Sequence, residues 1–135
     1  MTEYPADPAL ERLVCGIRLC ADSRAPELAR VAASWFSDPR CAIIWRTVER
    51  LEPGPASLMH VGHAIDDIAQ IGGWAFLSQL VVDADPGWHL PGIVRRLYHL
   101  GLRRAVLCAA GDIAEQAYNA RDAVKLAQWA RSRLP

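Results

Sequence analysis

Paired cysteine motifs, a long apolar run, an excess of charge of one sign and alternating strand patterns are all missing from this sequence. Each absence removes a class of protein. Cys15, Cys20, Cys41 and Cys108 show no CxxC spacing and stand in apolar, helix-like surroundings, which excludes a disulfide frame or a zinc knuckle and reads as buried, reduced thiols. No apolar stretch reaches the roughly 18 residues needed to cross a bilayer. The N-terminus MTEYPADPALER lacks the basic flank and apolar core of a signal peptide, so the chain reads as cytoplasmic, with no membrane partner. Fifteen basic and fifteen acidic side chains cancel to a formal net charge of zero. Such a surface is not built chiefly to neutralise phosphates, and contact with nucleic acid is expected to be indirect at most.

What is present is helix punctuation. With 135 residues, 52% of them hydrophobic, the chain suits one domain able to bury about two-thirds of its extended surface. Asp7 before Pro8 reads as an N-cap and first-turn proline, followed by the stripe Leu10, Leu13, Val14, Ile17 and Cys20 and a stop near Ala21. The same device at Ala25 and Pro26 predicts a short helix to about Phe36. At Asp38 and Pro39 it predicts one carrying Ile43, Ile44, Trp45, Val48 and Leu51, ended by EPGP. Ser57 is expected to cap a helix bearing Leu58, Val61, Ile65, Ile68 and Ala69. Gly72 then takes a left-handed position, and Gly73 lets the next helix, with Trp74, Leu77, Leu80 and Val81, start close by. A long helix over about residues 91–118, kinked at Gly101, and an amphipathic terminal helix over 119–134 complete the reading. The fold class is therefore all-α, a compact orthogonal bundle of about six to seven helices.

Chemistry-bearing residues are sparse. His60, His63 and Asp67, at i, i+3 and i+7, could face a cation from one helix, but neither a fourth ligand nor an orienting shell accompanies them. They define the alternative of a small helical metal-binding protein or enzyme. Asp66 and Asp67 point about 100° apart on a helix and cannot share a substrate. Gly72 and Gly73 have no GxxxxGK[ST] context, which removes an ATPase or kinase reading. Arg95, Arg96, Arg103 and Arg104, interleaved with Tyr98 and His99, are the most basic cluster and carry the other alternative, a DNA-binding regulator. The helix after the glycine pair offers Trp74, Phe76, Leu77 and Gln79, not the basic side chains of a recognition helix. Of the five tryptophans, Trp45 and Trp74 fit the core. Trp88, in a loop, and Trp129, on the terminal helix, are the candidates for contact with another chain.

Five stretches together resemble the N-terminal domain of DnaB-type replicative helicases, in order and over nearly the whole chain. They are ALERLVCGIRLC at 9–20, WFSDPRCAIIWRTVERL at 35–51, IGGWAFLSQL at 71–80, RRAVLCAAGDIAEQAY at 103–118 and RDAVKLAQWARSRL at 121–134. The apolar-Gly-Gly-aromatic-x-aromatic-Leu run in the third is the most specific, and the fifth is similar to the start of the family's linker. Cys41 stands where the family commonly has histidine, Ser57 where it often has aspartate, and residues 91–102 fit with a two-residue offset. No motor motif follows, so helicase activity does not transfer.

The resemblance implies an interaction role, because in that family the domain pairs with its copies into a collar and offers a platform for primase. The expectation is a domain over 1–118 and a linker-like helix over 119–135, with no catalytic, metal or cofactor site. As a stand-alone protein it would be a replication accessory that occupies or mimics the helicase collar; as a fragment it would be the collar itself. Its partners are expected to be its own copies, a replicative helicase or a primase, with Trp88 and Trp129 as contact residues.

Overall fold

Helix α1 spans Pro8–Leu19, and the Asp7 carboxylate caps it by accepting from the Leu10 amide at 3.2 Å. Its buried face is Val14, Cys15, Ile17 and Leu19. The structure, a computed structural model, describes residues 3–20, 25–85 and 89–135, so the predicted stop near Ala21 lies outside the described residues. Helix α2, Pro39–Leu51, is capped by Asp38, which accepts from the Arg40 amide at 2.9 Å. It buries Cys41, Ala42, Ile44, Trp45 and Val48.

The single short helix predicted over 25–36 does not form. Two 3-10 turns take its place, Pro26–Arg30 and Ala33–Trp35, with extended backbone at Val31 and Ala32 between them. The reason is tertiary. The Trp45 indole donates to the Val31 carbonyl at 3.0 Å, and the Ala33 amide donates to Glu49 at 3.3 Å, so groups that a helix would use internally are claimed by α2. The result lays Leu28, Val31, Ala33 and Phe36 into the core at a spacing no α-helix offers.

Helix α3 covers Leu58–Ala64 and is shorter than predicted. Arg50 donates to the Ala64 carbonyl at 2.8 Å, Ile65 turns extended, and Asp67 starts a separate 3-10 turn, Ile68–Ile71. The Ser57 side chain does not cap α3; its hydroxyl lies 2.6 Å from His60 Nδ1. Gly72 is left-handed at φ 94°, as expected, and Gly73 follows at φ 74°. A Cβ on Gly73 would meet nothing within 4 Å, so its role is the backbone angle and not the close packing anticipated for it. Helix α4 then runs Gly73–Asp83.

Helix α5 extends over Leu90–Asn119, with Gly101 inside it. That glycine serves a contact: a Cβ there would stand 3.0 Å from Trp35 Cα. Helix α6, Ala123–Arg133, is capped by Asp122, which accepts from the amides of Val124 and Lys125. Among the described residues there are six α-helices and no strand, the all-α bundle the sequence predicts.

The helices of the body touch at glycines. A Cβ on Gly16 would lie 2.1 Å from the Leu80 carbonyl oxygen, so α1 and α4 cross backbone to backbone. Two charged groups are buried and bonded to main-chain groups. Glu11 accepts from the Asp38 amide at 2.8 Å and from the Ser37 hydroxyl. Arg104 donates to the carbonyls of Pro5, at 2.8 Å, and Trp35. Each ties its helix to a segment far along the chain through hydrogen bonds that offset the burial of its charge.

Candidate interaction surface

The second half of α5 and α6 form an antiparallel hairpin that differs from everything before it. From Ala105 onward, Ala109 alone among the described residues is buried. Half-buried Asp112 and Ile113 on α5, with Leu126 and Ala130 on α6, mark the rest of the seam. An ion pair between Arg133 and Asp112 at 2.7 Å closes its far end, and the Arg133 guanidinium also lies 5.7 Å from the centre of the Trp129 ring. Trp129 borders a hollow of about 480 Å³ shared with Gln116, Arg121, Lys125 and Leu126. Val106, Leu107, Tyr118, Val124 and Leu134 face outward along the same hairpin, Tyr118 with 91% of its surface exposed. Helix α6 buries none of its residues. An apolar side of a helix left in water marks a surface that another chain can cover.

Of the two predicted contact residues, Trp129 stands on this surface and Trp88 lies outside the described residues. The thiol expectation holds for Cys15 and Cys41, but Cys20 is half-buried and Cys108, on the sparsely covered second half of α5, is exposed. Burial, with the Cys41 contact added, pushes the Cys15 thiol well above its ordinary range and keeps it protonated. Trp45 is buried as predicted, whereas Trp74 remains 37% exposed. Its ring covers Gly62, where a Cβ would come within 2.2 Å, and meets His63 edge-on at 5.2 Å, so it seals the α3–α4 crossing from outside.

The alternative metal ligands are not brought together. His60 is held by Ser57, His63 packs on Trp74, and Asp67 accepts from the Ala69 amide at 3.2 Å. No group of three ligating side chains assembles among the described residues. The arginine cluster is also divided: Arg104 is buried, Arg96 pairs with Asp7 at 3.3 Å, and Arg95 and Arg103 stay exposed. Sequence reasoning passed over the fixing role of Glu11, although its place three and four residues before Val14 and Cys15 puts it on the buried face of α1. It also missed Arg40, whose guanidinium pairs with Asp38 at 2.9 Å and stacks 4.2 Å from the centre of the Phe76 ring, joining α2 to α4. Burial raises the Asp38 pKa, but hydrogen bonds from Arg40, with the Arg40 and Arg12 charges, outweigh it and hold the carboxyl below its ordinary value.

This architecture is similar to a crystal structure of the N-terminal domain of DnaB helicase from Mycobacterium tuberculosis, with a TM-score of 0.85. The fold is that of the DnaB N-terminal domain. The match covers 97% of this chain and 98% of the other, at 20% sequence identity. The DnaB domain therefore accounts for almost all of these 135 residues and leaves no space among them for a motor domain. No family model matches the sequence, and neither does any curated protein. The shared fold was nonetheless legible in short motifs, the glycine corner at 72–73 and the capped α2 above all.

Proposed function

We propose that this chain is a protein-interaction module of DNA replication, without enzymatic activity, that pairs with its own copies through the α5–α6 hairpin and engages a replicative helicase or a primase. The carrying observation is that α6 buries none of its residues within the chain while bearing Val124, Leu126, Trp129 and, just beyond it, Leu134. A helix of that composition gains stability when a second apolar surface removes it from water, and a large aromatic residue concentrates the binding energy. Trp129 is the proposed anchor. Trp88 is kept as a second contact on the sequence argument alone. Residues 119–135 are read as the segment that would continue toward a motor. The reading places the protein in the cytoplasm; no described helix is long and apolar enough to cross a membrane.

The test is the mass of the purified chain in solution, alone and after mixing with its host's replicative helicase and primase. A dimer or larger assembly, reduced to monomer by Trp129→Glu, supports the proposal. A strict monomer that ignores both proteins overturns it.

A further inference from the structure

A cleft lies between the Pro26–Arg30 turn and the first turns of α5, remote from the hairpin seam. Its volume is about 480 Å³, within the range of small-molecule sites, and Glu27, Arg30, Trp35, Val94, Arg95 and Tyr98 line it. Trp35 and Tyr98 meet edge to face, with ring centres 5.1 Å apart and planes at 64°. In such a pair each ring keeps at least one face that the other does not cover. Trp35 is half-buried and backed by Gly101, while Tyr98 is exposed, so one ring is fixed and the other open to a ligand.

The charges are as telling as the rings. Arg30 and Arg95 are both exposed, and among the described residues no carboxylate pairs with either. Two planar guanidinium groups beside an edge-to-face aromatic pair suit an anion attached to a flat ring, because arginine offers paired donors to phosphate oxygens. Glu27, half-buried, is the one carboxylate in the cleft's lining and can accept from a donor on a ligand.

We propose that this cleft binds a nucleoside phosphate: the base against Tyr98, the phosphate between Arg30 and Arg95, and an exocyclic amine of the base donating to Glu27. An acidic aromatic peptide would satisfy the rings and the arginines, but it would bring a carboxylate against Glu27 and supply it no comparable donor. The nucleotide could be free or one unit of a single strand. The zero net charge of the whole chain does not oppose this, since the site depends on a local group of arginines. The inference is independent of the pairing proposed above.

The experiment titrates the full chain at low salt with adenosine 5′-monophosphate and with a fluorescein-labelled single-stranded oligodeoxyadenylate, read by amide NMR shifts and by anisotropy respectively. Saturable binding that shifts the amides around Arg95 and Tyr98 is expected. Tyr98→Leu should weaken it about fivefold or more, with Tyr98→Phe restoring it, because stacking on a base needs the ring and not the hydroxyl. Arg30→Ala with Arg95→Ala should cost about tenfold or more and flatten the salt dependence, while Arg46→Ala, exposed on α2, should change nothing. Binding of the oligonucleotide alone assigns the site to a strand, and binding of the mononucleotide alone to a free nucleotide; either supports the proposal. Absence of saturable binding by both probes overturns it, as does equal affinity in Tyr98→Leu. Tighter binding of the dipeptide Asp-Tyr than of the mononucleotide also overturns it.

Discussion

The body of the molecule, α1 to α4 with the first half of α5, and the α5–α6 hairpin are built from the same kind of helix yet held in opposite ways. In the body, backbones touch at Gly16, the Trp74 ring presses on Gly62, and Glu11 and Arg104 bind main-chain groups from distant elements. In the hairpin, one buried alanine, a few half-buried side chains and one exposed ion pair hold two helices together. The comparison teaches that shape in the body is fixed internally. The hairpin's shape rests on far fewer internal contacts.

Substitutions of the same type in the two regions should therefore diverge. The largest effect is expected from Gly16→Ala, whose methyl must displace the Leu80 carbonyl and part α1 from α4: about 3 kcal/mol of lost stability by chemical denaturation, at the top of the overpacking range. Next comes Glu11→Ala, which leaves the partly buried Asp38 amide and Ser37 hydroxyl without their acceptor and should cost about 2 kcal/mol, with Glu11→Gln recovering part of it. Asp38→Ala should cost about 1 kcal/mol at neutral pH through the lost cap. Because the folded carboxyl titrates below its unfolded value, its contribution is complete above the unfolded pKa and fades as pH falls through the folded one. The gap between wild type and variant should thus narrow only below about pH 4, measured as unfolding midpoints across pH.

The hairpin should answer in the other direction or hardly at all. Gly111→Ala adds a methyl to open space inside a helix, and it should stabilise the chain by roughly 0.5–1 kcal/mol. The opposite signs at Gly16 and Gly111 would be the sharpest statement of the contrast; a loss at both would dissolve it. Smallest of all, Asp112→Ala removes the ion pair to Arg133 between two half-exposed side chains, and a change below about 0.5 kcal/mol is expected in thermal unfolding.

What could be read from the sequence was local. Asp7 and Asp38 announce the starts of their helices through side chains that act within a few residues, and Gly72 takes the left-handed angle expected of it, although it closes a 3-10 turn and not α3. The segment 25–36 misleads because its conformation is decided by Trp45 and Glu49, ten or more positions away in α2. Helix α3 ends early for the same reason, its last carbonyl being taken by Arg50. For the candidate surfaces the division is similar. Trp129 could be singled out as a large aromatic on a charged terminal helix, yet adjacent Arg103 and Arg104 look alike in sequence and only the packed structure shows that Arg104 is buried and Arg103 exposed. The cleft formed by Glu27, Arg30, Trp35, Arg95 and Tyr98 joins two segments separated by most of the body, and no short-range pattern announces it.

The two glycines at the α4 corner also carry a lesson about inheritance. Both hold backbone angles of the hand that other residues avoid, but a side chain on Gly72 would crowd Phe76 at 3.1 Å, while one on Gly73 would enter open solvent. Asparagine, which tolerates that hand, is thus an affordable change at the second position and a strained one at the first. Among descendants of this chain, the second glycine is the letter that should drift.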